Sequence, residues 1–324
     1  MDVNPVIPGS ADFYGTLAHE FQHMIHWEQK TKQRNLNDDI WLNEAMSTVA
    51  RTYCGLGPDY SSVFTYESAP SNSLTKWDKT VEDYGVVYMW AQYYKDRVGS
   101  DIFWEMLHNN RTGIDSVNNA LTAVGYSKDF TGAFRDWAIA NFSGNSLSWT
   151  GHPEWSYVSI NTWPGTYNGI TLNGLFNDPS KWNVNTLQPL DMWSVDYYGY
   201  SPVSGTTGSV TWNPASPSDR AAVVDSGNAL LYYDMTVGTP YSYDTYGYLI
   251  AQNPSGISGG GDGITYASKE STLKSPAEIL EAAGRNPIAR ALARETGKPQ
   301  AICIQSYFSE REKELRSNGA RPAF

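Results

Sequence analysis

The sequence predicts an α+β chain in three parts: a mainly helical part over residues 1–145, an antiparallel β-sandwich over 146–267, and a charged tail over 268–324 that is helical or disordered. Three observations carry this reading. Apolar residues recur at helical spacing between helix start and stop signals through the first 142 positions. After Asn145 the texture changes to short runs rich in Trp, Tyr, Thr, Ser, Asn and Gly. From residue 269 the charge balance reverses. Residues 1–268 carry 13 Lys/Arg against 27 Asp/Glu, residues 269–324 carry 10 against 7, and all twelve Trp precede the boundary.

The first helix is expected over 11–30. Pro8-Gly9-Ser10 supplies a break and an N-cap, and Asp12 falls in the first turn, where the helix dipole favours an anion. At 100° per residue Leu17, Phe21, Met24 and Ile25 form one stripe, expected to face the core. His19, His23 and His26 lie on nearly the opposite side, expected to face a cleft, with Glu20 between the stripes on the His23 flank. Gly15 interrupts this helix and costs about 1 kcal/mol relative to Ala unless something packs close to its backbone. A second helix is expected over 41–54, ended near Gly55. The Gly/Pro/Ser-rich stretch 55–75 reads as a loop. A third helix follows over 80–98, with apolar Val81, Val87, Tyr88 and Ala91 and a stop near Gly99. Ser100 caps a helix over 101–109, and two more are expected at about 114–123 and 129–142.

In the β-rich part the runs Trp155-Ser156-Tyr157-Val158-Ser159-Ile160, Gly208-Ser209-Val210-Thr211-Trp212, Ala221-Ala222-Val223-Val224 and Gly247-Tyr248-Leu249-Ile250-Ala251 alternate or concentrate aromatic and β-branched residues, with turn residues between them. That pattern suits an antiparallel β-sandwich. Exposed aromatics there could stack on sugars or fibrous substrates, although Trp and Tyr are more often core or scattered surface. Asp262, in the Gly-rich run 258–263, is open to calcium, but the run does not repeat and reads as a linker. In the tail, Pro276-Ala277-Glu278-Ile279-Leu280-Glu281-Ala282-Ala283 begins a short helical stretch and 306–316 is another, highly charged; nothing in it carries recognisable chemistry.

The chemistry concentrates in the first helix. Three of the five histidines fall within eight positions, in His19-Glu20-Phe21-Gln22-His23 and at His26. Two histidines four apart share a helix face, so their imidazoles can grip one zinc ion, and the intervening Glu20 is placed to work on the metal's water. Zinc with three protein ligands keeps a fourth position for that water, so His26 is expected to support or pack rather than to bind. A second acidic residue, Glu44, opens the next helical pattern in Trp41-Leu42-Asn43-Glu44-Ala45-Met46-Ser47, where Asn43 and Ser47 are candidates to support a ligand.

Leu17-Ala18-His19-Glu20-Phe21-Gln22-His23-Met24-Ile25 followed by Trp41-Leu42-Asn43-Glu44 resembles the gluzincin metallopeptidases, and among them the hyicolysin family of secreted bacterial proteases. Ala133-Phe134-Arg135-Asp136-Trp137-Ala138-Ile139-Ala140-Asn141 is similar to the closing helix. The resemblance covers residues 1–142, is weak over 143–267 and stops there. It implies His19, His23 and Glu44 as zinc ligands, Glu20 as catalytic base, a mainly helical gluzincin C-terminal subdomain, a protein or peptide substrate, and secretion. It also implies a second donor at the carbonyl oxygen from a later helix. Tyr84, Tyr88 and His108 are the candidates, with Tyr84, next to Gly85, the one selected. Gluzincins place a β-rich lobe before this helix. Eighteen residues leave no room for it, and the expectation is a fragment, a truncated product or a degenerate paralogue.

The functional expectation is a zinc metalloendopeptidase. An aminopeptidase of the same class remains open, as does a truncated, non-catalytic protein whose β-sandwich binds protein or glycan. The net charge of −11 disfavours a nucleic-acid partner. No run of eighteen apolar residues is present to span a membrane. Cys54 and Cys303 have no metal-like spacing, and neither their pairing nor the oligomeric state is legible.

Overall fold

A computed structural model of the protein describes residues 7–202, 206–226 and 230–270. The tail from residue 271, Cys303 included, lies outside the described residues. The chain divides into two compact units, one of residues 1–174 with 192–194, the other of residues 175–191 with those from Val195 onward. Helices and antiparallel strands both contribute, so the chain is α+β.

Among the described residues seven α-helices build the first unit: α1 (Ala11–His26), α2 (Ile40–Tyr53), α3 (Tyr60–Ser68), α4 (Val81–Arg97), α5 (Asp101–His108), α6 (Gly113–Ala123) and α7 (Phe130–Ser143). Their starts follow local chemistry. The Ser10 hydroxyl accepts from the Phe13 amide, Asp59 from Ser61, and Asp129 from Gly132, each satisfying an orphan N–H of a first turn. Thr80 and Asp83 form a reciprocal capping box on α4. Helices α4 and α7 are buried along most of their length. Around them Trp90 meets Trp41 at 5.2 Å and Tyr94 at 4.6 Å between ring centroids. Trp193, on the returning segment, closes on Phe130 at 4.7 Å.

Three expectations fail in this unit. Helix α3 occupies part of the stretch read as a loop. Its sequence, Tyr-Ser-Ser-Val-Phe-Thr-Tyr-Glu-Ser, has little amphipathic signal, and packing against α4 stabilises it. The run 155–160 is not a strand. Pro153–Trp155 forms one 3-10 turn, and the following chain lies on α7, with the Trp137 indole donating to the Tyr157 hydroxyl (3.0 Å) and the Trp155 indole to Asp136 (2.9 Å). Residues 146–174, β-like in composition, therefore fall within the helical unit. They end in a two-stranded hairpin of β1 (Gly165–Tyr167) and β2 (Ile170–Leu172), turned by Asn168-Gly169, both at positive φ.

The third failure concerns α1. The stripe expected in the core is largely exposed: Phe21 at 61% and Met24 at 64%. The histidine side is the one packed, with Gly15 and His26 buried and α2 as the neighbour. Periodicity identifies residues sharing a face; it does not say which face is covered.

Among the described residues the second unit holds seven strands: β3 (Ser194–Tyr200), β4 (Thr206–Asn213), β5 (Arg220–Asp225), β6 (Leu230–Tyr232), β7 (Pro240–Tyr243), β8 (Gly247–Asn253) and β9 (Gly263–Glu270). They form a four-stranded sheet in the order β3-β8-β5-β6 and a three-stranded sheet in the order β7-β4-β9. Antiparallel register pairs Ala222 with Ile250 in the first and Val210 with Tyr266 in the second. The period-2 alternation of strands sends Tyr198, Tyr200, Ala221, Val223, Leu249 and Ala251 from one sheet, and Val210, Trp212, Tyr243 and Ile264 from the other, into one buried cluster. The Gly-rich run is not a linker. It connects β8 to β9 inside this unit, with the Gly259 amide donating to the Leu190 carbonyl (2.7 Å) and the Leu187 amide to that of Asp262 (2.8 Å). No helix among the described residues is long and apolar enough to cross a membrane.

Candidate metal centre

Helices α1 and α2 lie side by side, and their contact brings His19, His23 and Glu44 together. One helical turn separates the two histidines, so their rings meet edge to face with centroids 4.7 Å apart and Nε2 atoms 3.0 Å apart. Glu44 Oε2 lies 3.4 Å from His19 Nε2 and 3.5 Å from His23 Nε2. Three donors about 2.0–2.2 Å from a common centre in a tetrahedral site stand about 3.3–3.5 Å from one another, close to this spacing. Glu44 Oε2 is buried and makes no hydrogen bond. A buried carboxylate oxygen without a partner is costly unless a cation satisfies it. The residues thus fit a divalent metal bound by two imidazoles and one carboxylate.

The far side of His23 is held by α2. Asn43 Oδ1 lies 3.1 Å and Ser47 Oγ 3.0 Å from His23 Nδ1. A proton on Nδ1 shared with these oxygens leaves the Nε2 lone pair directed at the common centre, the usual support for a metal-binding imidazole. Glu44, the largest influence, raises the His23 pKa against the opposing effect of burial. For Glu44, burial acts upward, but His19 and His23 together outweigh it and hold the carboxyl at about 2. The carboxylate is therefore ionised and ready to bind a cation at neutral pH.

Glu20 stands apart from the donor cluster. Its side chain is exposed, yet close enough for its charge to act on His23 and Tyr84. Tyr84, on α4, has its ring 6.3 Å from that of His19 and 5.0 Å from that of Trp77. Burial first, then the charges of Glu44, Glu20 and Asp83, raise its hydroxyl pKa, so the phenol keeps its proton and can donate. Tyr88 is fully buried, and its hydroxyl accepts the Asp59 amide at 2.7 Å. His108 stacks on Trp104 at 3.7 Å, and its Nδ1 lies 2.8 Å from the Trp104 carbonyl within α5. Both rivals of Tyr84 are thus committed elsewhere.

His26 supports the frame rather than the donor cluster: it is buried, with Nε2 3.1 Å from Asp38 Oδ2. Beyond it α1 widens into a π-helical turn, Trp27–Lys32, a form that recurs near functional sites. This turn buries Lys30, whose ammonium donates to the carbonyls of Arg111 (2.6 Å) and Asn109, to Asn109 Oδ1 and to Ser116 Oγ, 3.7 Å from Asp38. Burial lowers the Lys30 pKa. Asp38 also accepts the Gly113 amide at 2.8 Å. The His26–Asp38–Lys30 group ties the end of α1 to the approach to α2, the two helices that carry His19, His23 and Glu44. Sequence reasoning missed Lys30 and Asp38, since a lysine in a polar stretch reads as solvated.

No family model matches the chain. It is similar to the neutral metalloprotease ShpI of Staphylococcus hyicus, with 29% identity over 119 residues, which is 33% of this chain and 27% of that protein. The matched stretch spans about a quarter of that relative's length. The similarity supports a metalloprotease relationship for this chain.

Proposed function

We propose that this chain carries the centre of a zinc-dependent metalloendopeptidase, with His19, His23 and Glu44 as ligands and Glu20 as general base. The observation that carries the reading is the convergence of three donor atoms from α1 and α2, with a second acid, Glu20, exposed nearby and acting by its charge on His23. Two imidazoles and one carboxylate suit zinc among the divalent metals. Bound zinc lowers the pKa of its water to about 7 and polarises a peptide carbonyl.

The remaining work falls to the chain itself. Glu20 takes the proton from the attacking water and returns it to the leaving amine. Tyr84, kept protonated, donates to the carbonyl oxygen as negative charge develops there. Asn43 and Ser47 hold the His23 tautomer. The two-sheet unit, whose sheets share one buried cluster, serves as an accessory β-sandwich. The metallopeptidase resemblance favours a secreted protein acting on protein or peptide substrates.

Metal analysis and hydrolysis assays test this together. The purified chain is expected to bind about one zinc and to cleave casein and N-blocked peptides, losing activity to a chelator and regaining it with zinc. Preference for free-amine peptides would move the reading to an aminopeptidase. A Glu20→Ala variant that retains zinc and still hydrolyses casein at the parent rate would remove the proposed mechanism.

A further inference from the structure

The second unit contains a pair of buried acids outside the candidate metal centre. The turn from β4 to β5, residues 214–219, meets the Gly-rich connection from β8 to β9. Strand alternation sends Ala221 and Val223 into the shared core, and Asp219, one step upstream, continues that side. Asp219 and Asp262 are each only 1% exposed. Asp262 accepts the Ala215 amide on Oδ1 (2.7 Å) and the Trp212 indole on Oδ2 (3.2 Å). Asp219 has neither: both its carboxylate oxygens are buried without a hydrogen bond.

The counter-charge nearby, Arg220, acts on Asp219 more weakly than burial and Asp262 do. The Arg220 guanidinium donates instead to the carbonyls of Pro217 (2.7 Å) and Asp219 (2.8 Å). The Gly259 amide, next to the carboxylate, is used by Leu190. Three consecutive glycines press the loop backbone onto this spot. A Cβ on Gly259 would fall 3.0 Å from both Asp219 oxygens, one on Gly260 2.7 Å from Ala215 Cβ, and one on Gly261 2.8 Å from the Leu187 carbonyl. Burial, and then the neighbouring Asp262 charge, push the Asp219 carboxyl up to about 7. A buried acid with two orphan oxygens facing a second acid is stable only with a cation or a shared proton between them.

We propose that Asp219 and Asp262 form a calcium site that clamps the 214–219 turn to the Gly-rich loop. The donors are carboxylate oxygens, with no imidazole or thiolate among the groups named around them. That set selects a hard cation over zinc. Calcium takes six to eight oxygens, so water and main-chain carbonyls of the loops would complete the shell.

The test uses the whole chain, freed of divalent ions and then titrated with calcium. At calcium about 100-fold above its Kd, the unfolding temperature is expected to rise by about 5–10 °C. Terbium, a calcium mimic, should show emission sensitised by Trp212, saturating at one site and displaced by calcium. The Asp219→Asn variant should lose both responses, whereas a His19→Ala/His23→Ala variant should keep them. That contrast separates this site from the candidate metal centre. A wild-type chain with no calcium-dependent shift and no sensitised emission would overturn the proposal in favour of a shared proton, whatever the variants do. Responses that survive both Asp219→Asn and Asp262→Asn would overturn it equally.

Discussion

At His23 the two ring nitrogens have separate tasks. Nε2 faces His19 and Glu44, while Nδ1 is held by Asn43 and Ser47. Removing that hold should loosen the tautomer without removing a ligand. Asn43→Ala combined with Ser47→Ala is expected to weaken zinc affinity about 10–100-fold, measured by competition with a chromogenic chelator. Glu20 shows the opposite dependence. Glu20→Gln should bind zinc like the parent and lose roughly 100-fold or more in kcat, the usual scale of a general base, read by metal analysis beside peptide hydrolysis. Glu67, in α3, gives a pH signature. Burial pushes its carboxyl up from 4.5 to about 7, and its Oε2 has no partner, while another oxygen accepts the Asn173 amide. The folded state therefore holds a proton that the unfolded chain releases between pH 4.5 and 7. Stability is lost as pH rises through that window, on the order of 1–3 kcal/mol. Glu67→Gln should flatten this loss in denaturant titrations at pH 5 and pH 8. An unchanged pH slope would show that Glu67 is not its source.

At the scale of elements, two helical glycines with the same sequence signal have opposite consequences. An added Cβ at Gly15 in α1 would meet Arg51 side-chain atoms at 3.6–3.8 Å, ordinary contact. Gly15→Ala is thus expected to stabilise the protein by up to about 1 kcal/mol through helix propensity. A Cβ at Gly85 in α4 would fall 2.7 Å from the Tyr66 amide nitrogen and 3.1 Å from the Ser62 carbonyl oxygen. These are backbone atoms of α3 and cannot turn aside. Gly85→Ala should cost roughly 1–3 kcal/mol by overpacking. Thermal unfolding of the pair gives the check: midpoints that move in the same direction would contradict it. Helix α3 itself shows why local signal was insufficient, since its stability comes from this close approach rather than from its own periodicity.

At the scale of the molecule, the ligands of the candidate centre come from two helices whose ends are also joined by His26, Asp38 and Lys30. A metal bound there stabilises the folded state by mass action. Stripping it with a zinc-selective chelator, calcium being kept constant, should lower the unfolding temperature of the parent by several degrees and leave that of a Glu44→Ala/His23→Ala variant unmoved in calorimetry. The acidic balance of the chain and its many aromatics bear on solubility and core size; they do not place the site.

The sequence by itself determined the helical positions of His19, Glu20, His23 and Glu44, most helix starts, and the β character of the runs 208–212, 221–224 and 247–251. These follow from spacing, caps and alternation, which are properties of neighbouring residues. Only the tertiary structure decided that the histidine side of α1 is the packed side, that α3 exists, and that 146–174 lies with the helices. It alone brought Asp219 to Asp262, and Lys30 to Asp38 and Ser116. Each of these depends on contacts between residues far apart in the chain, where burial outweighs local preference and no short-range pattern records the partner.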